Sequence, residues 1–219
     1  MKAAIIGGGT VLPEYLAQEF RREDFDYVVA ADRGLEVLKQ IDVQPDVMLG
    51  DYDSVSRDVY AYYKMKGIPD HVYPERKDDT DMELALHHMI RLSREQNKRI
   101  QIVLYGATGT RMDHVLANIS LLKQGMIRGI EMEIRDLHNR IRLCDGQMRI
   151  DQNEQYGHYI SLLPLTPVVE GVRLTGFRYG MQDGELVQGN SRGVSNVIEE
   201  ECAHIQFKKG LLLVIESRD

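Results

Sequence analysis

Val47-Met48-Leu49-Gly50-Asp51-Tyr52-Asp53-Ser54 begins as a short apolar run and ends on acidic residues, and a segment of helical period, Arg57 to Lys66, follows it. The same order occurs just upstream, where Tyr27-Val28-Val29-Ala30-Ala31 ends at Asp32 and precedes a helical stretch from Leu35 to Gln40. Strand followed by helix, repeated, is the pattern of a parallel sheet flanked by helices. Working outward, Ala3 to Ile6 reads as the first strand and His71 to Tyr73 as a short one. Thr80 to Gln96 reads as a long helix, Ile100 to Tyr105 as a buried strand, and Arg111 to Gln124 as a further helix.

Beyond Glu131 to Leu137 the texture changes. Arg140-Ile141-Arg142-Leu143-Cys144 alternates polar and apolar residues, and turn-forming Asp-Gly pairs recur at Asp145-Gly146 and Asp183-Gly184. His158 to Leu163, Val169 to Leu174 and Leu211 to Ile215 extend that β-rich pattern. The expected fold is therefore α/β plus all-β, with a Rossmann-like parallel-sheet domain over residues 1–140 and an antiparallel β-sandwich over 141–219.

A chain of 219 residues with 43% hydrophobic content has room for two modest cores. The formal net charge of -7 argues against a broad basic face, so no nucleic-acid partner is expected. No apolar run approaches the roughly 20 residues of a membrane span, and the start MKAAIIGGGT reads as a buried strand rather than a signal peptide. Cys144 and Cys202 are the only cysteines and lack metal-site spacing. The expectation is a cytoplasmic protein with no membrane partner.

In an open α/β sheet, ligands bind beyond the carboxyl ends of the strands. Asp32, Asp51 and Asp53 all fall there. Residues two apart in an extended segment point to one side, so Asp51 and Asp53 are expected to face one site, with Tyr52 pointing elsewhere. Two close carboxylates repel unless one is protonated or a cation lies between them, and Mg2+ bridging carboxylates to nucleotide phosphates is the expected cation. The same residues also suit a plain turn with an Asx hydrogen bond.

Lys77-Asp78-Asp79-Thr80-Asp81-Met82-Glu83 opens the long helix, and Thr80 with Glu83 fits a capping box. Capping needs one or two acidic groups, and a metal and phosphate site accounts for the surplus beside Arg76 and Lys77. Gly106-Ala107-Thr108-Gly109-Thr110-Arg111-Met112-Asp113-His114 leads from strand to helix, so its amides, the helix start and the Arg111 fork suit phosphate oxygens. Thr110 and Asp113 also suit simple capping, and His114 either a structural or a catalytic role. Gly7-Gly8-Gly9 matches no nucleotide fingerprint and reads as a tight turn whose amides remain usable for a phosphate.

Taken together, Gly50-Asp51-Tyr52-Asp53-Ser54, then Asp78-Asp79-Thr80-Asp81 running into Glu83-Leu84-Ala85-Leu86, then Arg111-Met112-Asp113-His114 with Ala117-Asn118, resemble the thiamine pyrophosphokinase family. Gly193-Val194-Ser195-Asn196 is similar to the Ser-Asn motif of that family's thiamine-binding domain, so the resemblance covers essentially the full chain. It implies transfer of a pyrophosphoryl group from ATP to thiamine with Mg2+, giving AMP and thiamine diphosphate. It also implies a homodimer whose thiamine sites lie at the subunit interface. By matching position, Asp51, Asp53, Asp78 and Asp81 are implied as the catalytic and metal-binding carboxylates. Asp32, Thr80, Arg111 and Asp113 are implied on the ATP and phosphate side, and Ser195 and Asn196 on the thiamine side.

Two features depart from the family pattern: Arg33-Gly34 stands where Gly-Gly is frequent, and the chain has no Trp to stack on thiamine. A pyrophosphokinase or kinase for another heterocyclic alcohol such as a pterin, or a non-catalytic nucleotide or thiamine sensor, are the alternative readings.

Overall fold

The computed structural model describes residues 1–73 and 78–219, and the chain divides into two compact units, Met1–Leu137 and His138–Asp219. Arg76 and Lys77 lie outside the described residues.

In the first unit β1 (Lys2–Ile6), β2 (Tyr27–Ala31), β3 (Val47–Gly50), β4 (Asp70–Val72), β5 (Gln101–Tyr105) and β6 (Glu131–Arg135) form a sheet in the order β4-β3-β2-β1-β5-β6. Every pairing among them is parallel. Central strands buried on both faces should be continuously apolar, and they are: Ala3 to Ile6, Val28 to Ala31 and Ile102 to Tyr105 are all buried. Five helices connect the strands: α1 (Pro13–Arg22), α2 (Gly34–Gln40), α3 (Arg57–Met65), α4 (Asp81–Gln96) and α5 (Met112–Ile127). α1, with Pro at its first turn, is an element the sequence reading did not single out.

The order matters for function. The chain moves from β1 outward through β2, β3 and β4, then returns to the other side of β1 as β5. The connections that follow β1 and β5 therefore lead to opposite sides of β1, and the carboxyl ends of these strands are the ligand position of doubly wound sheets.

The second unit is antiparallel throughout. β7 (Asn139–Cys144), β13 (Leu212–Ser217) and β9 (Tyr159–Pro164) pair in that order, and β11 (Met181–Val187), β10 (Val168–Thr175), β12 (Cys202–Gln206) and β8 (Gln147–Asp151) form a four-stranded sheet. Side chains from both groups, among them Cys144, Ile160, Leu162 and Val214 on one side and Ile150, Val172, Leu186 and Ile205 on the other, form a common core. That is the expected sandwich.

Two expectations need correction here. Asp183-Gly184 is no hairpin turn but lies inside β11, where Asp183 takes φ 48 and the pairing with β10 shifts register. This is a β-bulge, which the same residue types serve as readily as a turn. Asp145-Gly146 does turn the chain, yet β7 and β8 on either side belong to different sheets rather than to one hairpin.

Candidate active site

The register of β2 against β3 sets Ala31 beside Leu49, and the Asp32 N–H donates to the Leu49 carbonyl at 2.8 Å. Asp32 therefore sits next to the segment that carries Asp51 and Asp53. Carboxylate oxygens of the three residues lie within 4.8 Å of one another. Ser54 Oγ donates to Asp32 Oδ2, while Asp32 Oδ1 is buried without a hydrogen-bond partner among the described residues. Burial pushes the Asp32 carboxyl above the usual carboxylate range, the Ser54 and Arg33 N–H hydrogen bonds oppose that, and the charges of Asp81 and Asp51 add to the rise. A buried, unpaired oxygen among three hard, mutually repelling ligands fits a divalent cation.

Asp51 and Asp53 reach this arrangement by a different route from the one expected. β3 ends at Gly50, and Tyr52 takes the left-handed conformation at φ 59, so the segment is a turn and not an extended run. The Asp53 N–H donates to Asp51 Oδ1 at 3.3 Å, the Asx bond of the plain-turn reading. The turn and the carboxylate cluster are one feature. Asp32, which the resemblance implies on the phosphate side, is by geometry the third member of the cluster. The signal was available, since it follows β2 as Asp51 follows β3 and those strands are neighbours.

A cavity of about 670 Å³ lies at the carboxyl ends of β1, β2 and β5. Asp32, Ser54, Thr80, Asp81, Arg111 and Asn118 are among its lining residues, so Asp32 joins the carboxylate cluster to the cavity. The glycine loop does not offer the expected set of free amides: the N–H groups of Gly7, Gly9 and Thr10 donate to the carbonyls of Tyr105, Gly106 and Thr108 at 2.8, 2.9 and 2.8 Å. The two loops are strapped together. A Cβ on Gly9 would fall onto the carbonyl oxygens of Thr108 and Gly106, which is why the approach requires glycine. Asn118, buried on α5, donates from Nδ2 to the Ala107 carbonyl at 2.8 Å, and Thr108 Oγ1 donates to Asp136 at 2.8 Å.

Thr80 caps α4 by accepting the Glu83 N–H at 3.3 Å, and the Glu83 carboxylate takes Gln124 Nε2 at 2.6 Å. Asp81 lines the cavity, and its charge acts on Asp32. Asp78 is exposed at the bend before α4, and Asp79 lies 3.6 Å from the His87 ring. At the start of α5, Arg111 occupies the N-cap without a side-chain cap bond, so Thr110 does not cap the helix. Arg111 Nη2 instead donates to Asp113 at 2.6 Å, and that bond holds the exposed Asp113 carboxyl down at about 2. Arg33 and His114 both line the cavity.

In the second unit Ser195 is exposed at φ 58, and its N–H donates to Ser161 Oγ at 3.1 Å. Asn196 is buried, with its carboxamide bonded to the backbone of Tyr179 and Val197.

A parallel sheet with a cavity at its switch point and a carboxylate cluster at its strand ends, in a chain with a second unit of β-sandwich type, is the layout of a two-domain protein whose first unit suits a phosphate-bearing ligand with a divalent cation. Residues 21–134 match the thiamin pyrophosphokinase catalytic domain, and residues 147–212 match the thiamin pyrophosphokinase vitamin B1 binding domain. The chain belongs to the thiamine pyrophosphokinase family. It is 31% identical over 192 residues to the thiamine pyrophosphokinase of Bacillus subtilis, covering 87% of each chain. The crystal structure of the thiamine pyrophosphokinase from Bacillus subtilis superposes with a TM-score of 0.86 at 27% identity, covering 100% of both chains. The thiamin pyrophosphokinase structure from Geobacillus thermodenitrificans gives 0.81 at 30% identity, covering 100% of this chain and 98% of the other. No helix among the described residues is long and apolar enough to cross a membrane.

Proposed function

We propose that this protein transfers the pyrophosphoryl group of ATP to the hydroxyl of thiamine, releasing AMP and thiamine diphosphate. The observation that carries the reading is the meeting of three carboxylates beside a cavity at the sheet's switch point, in a chain whose two units match the catalytic and vitamin B1 binding domains of one family.

In this reading Asp32, Asp51 and Asp53 would hold Mg2+, and Asp81, which lines the cavity, and Asp78, at the exposed bend before α4, would add negative charge on the α4 side. When bound, the ion supplies charge neutralisation for the phosphates. The chain's own residues do the positioning. Arg111, on the cavity rim, presents a planar fork suited to phosphate oxygens, and Asp113 fixes the orientation of that fork. Thr80 and the start of α5 face the same space. The strapped loops after β1 and β5 shape the wall against which the triphosphate lies. The thiamine hydroxyl attacks the β-phosphorus in line, and AMP leaves on the opposite side; placement and electrostatics account for most of the acceleration. Ser195 and Asn196 serve the thiamine side, Asn196 by fixing the Tyr179 segment. The working form is a cytoplasmic homodimer with thiamine bound at the subunit interface.

Incubation with ATP, Mg2+ and thiamine, followed by identification of the nucleotide product, tests the reaction. AMP with thiamine diphosphate is the expected outcome. ADP would indicate transfer of one phosphoryl group, and binding without turnover would indicate a sensor; either overturns the proposal.

A further inference from the structure

Tyr52 lies between two residues of the carboxylate cluster and has a backbone conformation that a bulky side chain rarely adopts, φ 59. The left-handed residue turns the chain between Asp51 and Asp53, and their carboxylate oxygens lie within 4.8 Å of one another and of Asp32. Something must hold an aromatic residue there. Its ring packs on Tyr60 of α3, with centroids 4.8 Å apart and planes inclined at 41°. Tyr60 is itself fixed, because its hydroxyl donates to Asp70 Oδ2 at 2.9 Å, and Lys64 Nζ holds the other oxygen of that carboxylate at 2.7 Å. A continuous chain of contacts thus runs from β4 and α3 through two aromatic rings to the acidic turn.

The Tyr52 hydroxyl tells a different story from the ring. It is buried and has no hydrogen-bond partner among the described residues. A buried donor left unpaired opposes folding, so the hydroxyl is not what keeps Tyr52 in place.

We propose that Tyr52 is a positioning residue: its ring, wedged against Tyr60, holds the left-handed turn that brings the Asp51 and Asp53 carboxylates together with Asp32, and its hydroxyl contributes nothing to that role. The inference rests on the reading of Asp32, Asp51 and Asp53 as a divalent-cation site.

The test separates ring, backbone and metal reading. Binding of Mn2+ alone to the full-length protein without nucleotide is titrated by electron paramagnetic resonance for the wild type, Tyr52→Phe, Tyr52→Ala, Tyr52→Gly and Asp53→Asn. Thermal melts and far-ultraviolet circular dichroism verify that each variant is folded. Tyr52→Phe is expected to bind Mn2+ as the wild type does and to melt higher. Tyr52→Ala and Tyr52→Gly should bind roughly tenfold or more weakly, Gly included, because it permits the turn without holding it. In turnover assays Tyr52→Ala should raise the Mg2+ concentration for half-maximal rate more than it lowers kcat at saturating Mg2+, a split that general loosening of the fold would not produce. Wild-type Mn2+ affinity in folded Tyr52→Ala overturns the proposal, as does a Tyr52→Phe defect as large as that of Ala. If Asp53→Asn also binds Mn2+ like the wild type, the cation-site reading itself has failed.

Discussion

Asn196 holds Tyr179 from both sides of its backbone: Oδ1 accepts the Tyr179 N–H at 3.0 Å and Nδ2 donates to the Tyr179 carbonyl at 2.8 Å. The same Oδ1 takes the Val197 N–H at 2.9 Å, so the buried carboxamide is spent on the backbone. Tyr179 is left 65% exposed, and it offers an aromatic face in a unit that lacks Trp. Asn196→Ala leaves buried backbone groups unpaired, which costs about 1–3 kcal/mol. It should lower Tm and raise the thiamine KM with the ATP KM largely kept. Ser195→Ala should raise the thiamine KM without the loss of Tm. Steady-state kinetics in both substrates with melts on each variant checks this, and an unchanged thiamine KM in both variants removes the pair from the site.

The carboxylate cluster predicts a conflict between stability and activity. Asp32 has a buried, unpaired oxygen close to two other carboxylates, and the hydrogen bonds from Ser54 and the Arg33 N–H offset the resulting cost only in part. Without metal, Asp32→Asn removes that repulsion and should raise Tm at neutral pH while abolishing most turnover. Asp53→Asn, at the exposed edge, should leave Tm nearly unchanged, lower kcat by orders of magnitude and raise the Mg2+ requirement. Melts in chelator and Mg2+ titrations of rate provide the measurements. Near-normal turnover of Asp53→Asn at low Mg2+ would contradict its assigned place.

The sequence was informative where periodicity and position in the chain settle the outcome, and silent where backbone conformation does. The apolar runs at Val28 to Ala31 and Ile102 to Tyr105 are buried on both faces of a parallel sheet, so their composition alone identifies them. Asp32 and Asp51 could be placed at strand ends for the same reason. The acidic residues suit a turn, but the left-handed conformation falls on Tyr52, whose residue type gives no sign of it, and the ring packing on Tyr60 joins separate elements. The strap between Gly9 and Gly106 joins residues almost a hundred positions apart, and no local window contains both. β8, β11 and β12 carry no clear apolar run because polar and apolar residues are mixed along them, and β11 is in addition interrupted by a bulge.

Glu216 gives the second unit a defined acid limit. Its carboxylate is fully buried, and Arg140 grips it at 2.7 Å through both Nε and Nη2, Arg142 at 2.6 Å, and the Tyr156 N–H at 2.9 Å. Burial alone would raise its pKa, but the Arg140 hydrogen bonds and the two guanidinium charges outweigh that, and the folded value lies below the ordinary 4.5. A carboxyl with a lowered folded pKa contributes stability that is present above the unfolded value and lost as pH falls through the folded one. Stability should therefore decline below about pH 4.5, and Glu216→Gln should flatten that decline. At neutral pH the same variant leaves two partly buried guanidinium groups uncompensated and should cost about 3–5 kcal/mol. Denaturant melts across the acid range in both proteins check the slope, and parallel curves would rule the pair out as its source.

Gly9 is the point at which the cavity wall is most sensitive to one methyl group. The Cβ of an alanine there would overlap the carbonyl oxygens of Thr108 and Gly106, and both belong to backbone that cannot rotate away. The loops would have to separate, breaking the 2.9 Å bond from the Gly9 N–H to Gly106 and shifting the wall that carries Thr108 and Arg111. A displacement of that kind beside the reacting groups can cost on the order of a hundredfold in rate. Gly9→Ala should thus lower kcat/KM for ATP by about that factor. Gly67→Ala serves as control: it strains a left-handed residue at φ 74, but its Cβ meets nothing within 4 Å. It should lower Tm modestly and leave kcat/KM unchanged. If Gly9→Ala reduces only Tm, as the control does, the strap is a stabilising feature and not part of the site's geometry.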